Sequence, residues 1–116
     1  MLKTLKQFDH IIASWKIILH EREGDNYRTK IEMSFSDGSK LYAKDYVFEG
    51  EDRKYSYHWI DREENLLIRW DNAKHWRGIS TFPHHKHIGT PERVEPSNEV
   101  TLDDVLTSIE SQMMRR

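Results

Sequence analysis

The chain has no cysteine, and only three prolines and five glycines among its 116 residues. Without thiols there is no disulfide, no thiolate nucleophile and no cysteine-ligated zinc, and the chain suits a reducing compartment. Proline and glycine are too scarce for a fibrous or low-complexity chain. A dominant charge is missing too: 18 Lys and Arg against 20 Asp and Glu leave a net −2, which gives no general drive toward a polyanion. No apolar run approaches the roughly 20 residues of a membrane span. The opening MLKTLKQFDH lacks the apolar centre of a signal peptide. These absences lead us to expect a soluble, cytoplasmic protein with no membrane contact. What is present is aromatic: four Trp, five Tyr and four Phe, all before residue 83. That supply argues against disorder, and the length fits a single domain spanning residues 1–116.

The hydrophobic pattern alternates with period two. Ile11, Ala13, Trp15, Ile17 and Leu19 read as one strand, and Tyr27, Thr29, Ile31, Met33 and Phe35 as a second. Glu23-Gly24-Asp25-Asn26 and Ser36-Asp37-Gly38-Ser39 are turn chemistry, Asp-Gly being a strong hairpin signal. Further strands are expected over residues 41–48, closed by Gly50-Glu51-Asp52, then 55–60 and 66–70. Thr101 before Leu102-Asp103-Asp104 is a helix start, with a hydroxyl cap and carboxylates in the first turn. Leu102, Val105, Leu106, Ile109 and Met113 then form an apolar stripe, and Arg115-Arg116 suits the helix end. Leu2, Leu5 and Phe8 suggest a short N-terminal helical turn. The predicted fold is α+β: a curved antiparallel meander of about five to six strands with a C-terminal helix packed on one face.

Residues 69–93 gather four of the seven histidines, two tryptophans and five Lys or Arg against two acids. The segment carries +3, leaving −5 on the rest of a chain whose total is −2. Imidazole exchanges protons near neutrality and is the commonest metal ligand. In an extended segment His85 and His87 project to one side, and His84 and Lys86 to the other. His85 and His87 are therefore candidates for general base and acid in phosphodiester cleavage without metal or cofactor, with Arg69, Arg77 or Lys86 stabilising charge. Trp76 is the loop aromatic best placed to stack a base, whereas Tyr57 and Trp70 lie on the apolar phase and read as core. His58 lies on the polar phase of its strand. Asp71 and Asn72 read as turn caps, with Arg69 paired to a carboxylate. A metal-dependent hydrolase or nucleotide-modifying enzyme is the rival reading. It would use His85 and His87 with a third ligand from His75, Asp71 or His58. A non-enzymatic protein-binding module is the third reading.

The order Tyr57-His58-Trp59, then Arg69-Trp70-Asp71-Asn72-Ala73 with His75, then Thr81-Phe82-Pro83-His84-His85-Lys86-His87, then Leu102 to Ile109 resembles the TumE family. Its members are small prokaryotic proteins classed as toxin halves of type II toxin–antitoxin pairs. The resemblance runs over about residues 38–110, within which FPHHKH is fairly specific, and residues 1–37 match only in general character. It implies a helix-turn-helix antitoxin as partner, and it places His84, His85, His87, Arg69 and Asp71 at motif positions. RNA cleavage is the activity expected by analogy with other compact α+β toxins. Lys86, Arg77, Trp76, His75 and His58 are then the expected substrate contacts. The sequence pI of about 6.4 departs from the strongly basic character of many RNA-cleaving toxins. An open sheet edge would allow a homodimer.

Overall fold

The computed structural model describes residues 1–49 and 52–115. Gly50 and Glu51, in the turn expected after the third strand, and Arg116 lie outside the described residues. The elements in chain order are α1 (Leu2–Gln7), β1 (Ile12–Glu23), β2 (Asn26–Phe35), β3 (Lys40–Val47), β4 (Arg53–Ile60), β5 (Leu66–Asp71), β6 (His85–Ile88), β7 (Val94–Pro96) and α2 (Leu102–Met113). All seven strands form one antiparallel sheet in sequence order. The meander and its helix are as expected, but the sheet is longer than the five to six strands predicted. β6 comes from the histidine segment itself, and β7 follows directly after it. At four and three residues they are too short and too polar to show alternation, and pairing with β5 makes them strands.

Two tight turns follow their residue types. Gly24 joins β1 to β2 at φ +61°, and Gly38 joins β2 to β3 at φ +89°. At residue 38 the positive φ is what calls for glycine, since the nearest group, the Arg62 guanidinium, ends a flexible side chain that can move aside.

One face of the sheet carries the core. Cross-strand pairs Ile31–Ala43, Met33–Leu41, Leu41–Trp59, Ala43–Tyr57, Tyr57–Trp70 and Trp59–Ile68 line it. Leu5 from α1, Phe8 at its C-terminal cap, and Val105, Leu106 and Ile109 from α2 join the same buried cluster. Tyr57 and Trp70 are buried as expected, and Trp59 and Trp70 stack with centroids 6.5 Å apart. The α2 start forms a full capping box: the Thr101 hydroxyl accepts from the Asp104 N–H, and the Asp104 carboxylate accepts from the Thr101 N–H. The helix ends at Met113, before Arg115. His10 pairs with Glu110, linking the segment after α1 to α2.

β1 forms where alternation placed it, but it is an edge strand and stays wet. Trp15, Ile17 and Ile18 are all exposed, and register shifts between Ile12 and Ser14 and between Ile17 and Leu19 break its phase. No helix among the described residues is long and apolar enough to cross a membrane.

Candidate functional site

The site lies on the opposite face of the sheet, at the β5–β6 end. Register sets it: Asp71 pairs with His85, and Arg69 with His87, so all four side chains share the face away from the helices. Hydrophobic alternation in β5 puts Ile68 and Trp70 inward, which turns Arg69 and Asp71 outward. Residues 72–84 connect the two strands. The turn at their end includes the cis Phe82–Pro83 peptide. The Thr81 hydroxyl closes this turn by donating to the His84 carbonyl and accepting from the Ser97 N–H.

Asp71 is the hub. Its Oδ1 lies 3.0 Å from Nε2 of His85, and its Oδ2 lies 3.5 Å from Nε2 of His87 and 3.3 Å from Nε of Arg69. The Ala73 N–H donates to Oδ1 in an Asx turn, so the expected turn-capping and arginine-pairing roles of Asp71 hold. Nδ1 of each histidine meets a backbone carbonyl, His85 that of Pro83 at 3.0 Å and His87 that of Pro91 at 2.8 Å. The two rings lie edge to face, 5.0 Å between centroids. His85 is 1% exposed and His87 12%, while Arg69 is 42% exposed. Trp76, 40% exposed, stands with its ring 6.4 Å from that of His85 and 6.2 Å from that of His87. Asp71, His85 and His87 form the group of potential metal ligands found among the described residues, their ligand atoms all within 4.8 Å of one another.

Strand alternation takes His84 and Lys86 elsewhere. His84 stacks on Tyr55, with its Nδ1 2.8 Å from the Tyr55 hydroxyl. Burial, helped by the positive charge of Arg53 and by His85, holds its pKa below the ordinary imidazole value. Lys86 pairs across the sheet with inward-facing Trp70 and donates to Glu99 at 3.1 Å. Neither joins Asp71, His85 and His87. Arg77 lies over the Phe82 ring at 5.7 Å. His75 is exposed on the connection, beside a groove lined by Phe48, Asp52, Arg53, Lys54 and Asn72.

His58 shares the outer face, paired with Arg69, and burial together with the Arg69 charge lowers its pKa. It lines a shallow groove of about 300 Å³ with Lys30, Lys44, Tyr42, Ser56 and Arg69. Lys30, Lys44 and Tyr42 are contributors that sequence reasoning missed. They sit on the polar phase of their strands, and only strand register brings them beside Arg69.

The Asx turn is capped by Asp71, and the hydrogen bonds of the Asn72 side chain run to β4 instead. Past the end of β5 its amide continues the ladder to β4: Oδ1 accepts from the Tyr55 N–H at 3.0 Å, and Nδ2 donates to the Arg53 carbonyl at 2.7 Å.

A family model described as toxin TumE matches residues 1–113. The match therefore also covers the first 37 residues, where the motif resemblance was weakest. No curated protein and no solved structure matches the chain.

Proposed function

The chain belongs to the toxin TumE family, and from that premise we propose that it arrests growth by cleaving RNA at the Asp71–His85–His87 cluster. The family makes it the toxin of a toxin–antitoxin pair, with an antitoxin as its partner. We assign that partner a helix-turn-helix DNA-binding part, as the motif resemblance implies. The open β1 edge is where a second copy of the toxin would pair.

One observation carries the RNA reading. Two imidazoles and a carboxylate converge beside an exposed arginine, and that arginine also lines a groove holding Lys30, Lys44, His58 and Tyr42. Such a groove suits a single strand, with phosphates on the cations and a base against an aromatic ring. In the cleavage the 2′-oxygen bonds to phosphorus as the bond to the 5′-oxygen breaks. The 2′-hydroxyl proton goes to a base, and the departing oxygen takes one from an acid. Arg69 is placed to offset the charge that builds on the phosphorane.

The metal-free scheme assigns the two proton transfers to His85 and His87. His85 is 1% exposed, so His87 is the imidazole of the pair that reaches RNA, a water molecule must carry the second proton in this scheme, and Asp71 and His85 stand behind His87. Metal-assisted cleavage at the same cluster is favoured by a specific feature: the buried Nε2 of His85, 3.0 Å from Asp71 Oδ1, makes no aligned hydrogen bond among the described residues.

Expression of the wild-type chain without its neighbour is expected to stop growth, and His87→Ala to relieve the arrest. Purified protein should cut RNA, alone or on ribosomes, and the variant should not. Growth arrest with intact RNA under both conditions would overturn the RNA reading. Absence of any growth effect would favour the protein-binding module.

A further inference from the structure

We propose that Asp71, His85 and His87 form a binding site for a divalent first-row transition-metal ion, with Arg69 and Trp76 at its rim. The site stands on the contacts below, whichever reaction it serves.

A backbone carbonyl only accepts hydrogen bonds. The contacts to Pro83 and Pro91 therefore put a proton on Nδ1 of both His85 and His87. In the neutral rings each Nε2 then carries a lone pair, 3.0 Å (His85) and 3.5 Å (His87) from the Asp71 carboxylate oxygens. Outer-shell carbonyls that fix the tautomer in this way are the usual companions of metal-bound imidazole. The Ala73 N–H likewise orients Oδ1 of Asp71, and Arg69 holds Oδ2.

Nε2 of His85 is buried and lies 3.0 Å from Asp71 Oδ1, yet it has no aligned hydrogen-bond partner among the described residues. A buried lone pair 3.0 Å from a carboxylate oxygen is unfavourable, and a cation bound by both reverses the sign of the interaction.

The spacing agrees. Metal–ligand bonds of about 2.0–2.1 Å put neighbouring ligands about 2.9 Å apart in an octahedron and about 3.3 Å apart in a tetrahedron. Nε2 of His85 lies 3.0 Å from Oδ1 and Nε2 of His87 lies 3.5 Å from Oδ2, and one ligand atom from each of the three residues gives a set within 4.8 Å, so side-chain rotations bring the three onto one ion. Two imidazoles and one carboxylate select the ions from manganese to zinc over magnesium and calcium. Three protein ligands leave coordination positions open, as a reactive rather than purely structural site requires. The sequence left His75, Asp71 and His58 as candidates for the third ligand. Register selects Asp71, while His58 pairs with Arg69 and His75 stays on the exposed connection.

The test uses the full chain, stripped with chelator and titrated with Zn²⁺ alone, with Co²⁺ for its visible absorption and Mg²⁺ as comparator. We expect about one Zn²⁺ per chain, a rise in melting temperature, and cobalt bands of a nitrogen- and oxygen-ligated site. Zn²⁺ binding should weaken by at least about 10–100-fold in Asp71→Asn and His87→Ala. It should not change in His10→Ala or His20→Ala. Should His85→Ala fail to fold, His87→Ala carries the test, because that ring sits at the edge of the site. Failure to bind Zn²⁺ or Co²⁺ stoichiometrically, or equal binding by His87→Ala, overturns the proposal. Metal binding without RNA cleavage supports it while removing the RNA reading. Chelator-resistant RNA cleavage by protein that takes up no metal overturns it and leaves the RNA reading standing.

Discussion

Replacing Asn72 with alanine tests whether a side chain really extends the sheet where β5 stops. The wild-type amide makes two hydrogen bonds to the β4 backbone, to the Tyr55 N–H and the Arg53 carbonyl. Each such bond contributes about 1 kcal/mol net, and a backbone group left unpaired in partly buried surroundings costs up to about 1 kcal/mol more unless water reaches it. Tyr55 is buried and Arg53 half-buried, so water has better access to the carbonyl than to the N–H. The expected loss is therefore about 2–3 kcal/mol. For a domain of this size that corresponds to roughly 8–12 °C in melting temperature. Urea unfolding of wild type and Asn72→Ala, with Asn98→Ala as an exposed control, measures it. Because Asn72 follows Asp71 directly, the same substitution should also loosen the Asp71 hub. A loss below about 0.5 kcal/mol would refute the reasoning, since it would mean that water replaces both bonds without cost.

Trp70→Ala should cost about 3–5 kcal/mol, because Trp70 is fully buried against Trp59. Trp76→Ala should change stability by less than about 1 kcal/mol while impairing growth arrest, the two being separated by thermal melts and plating. Thr101→Ala removes the α2 cap and should cost about 1 kcal/mol by urea unfolding. Burial alone would raise the Glu99 carboxyl pKa, but the hydrogen bond and charge of Lys86 outweigh it and hold the value below 4.5. Its contribution to stability is thus complete above the unfolded value and is lost as pH falls through the folded one. Glu99→Gln should flatten the fall in melting temperature below about pH 4.5, and an unchanged acid limb would count against this.

The interior strands β2 to β5 and the capped helix were legible because each rests on local rules: period-two alternation, Gly-containing turns, and a threonine cap followed by carboxylates. β1 was legible as a strand but not as a wet edge. Trp15 and Ile17 look like core until the sheet order leaves nothing to cover them. β6 and β7 were not legible, since seven short, mixed residues become strands only through their neighbours. Lys30, Lys44 and Tyr42 were passed over because a cation on a polar phase looks the same whether it faces bulk water or a groove.

By itself the sequence determined that His85 and His87 share a side while His84 and Lys86 take the other, because side chains alternate on any extended chain. It also carried the composition of the 69–93 segment and, through FPHHKH, the family. Only the tertiary structure decided which carboxylate those imidazoles face. The choice depends on strand register, the pairing of Asp71 with His85 across two strands separated by a 13-residue connection, residues 72–84. Register is settled by burying Trp70 and Ile68 against the rest of the core, a long-range packing requirement that local spacing does not contain.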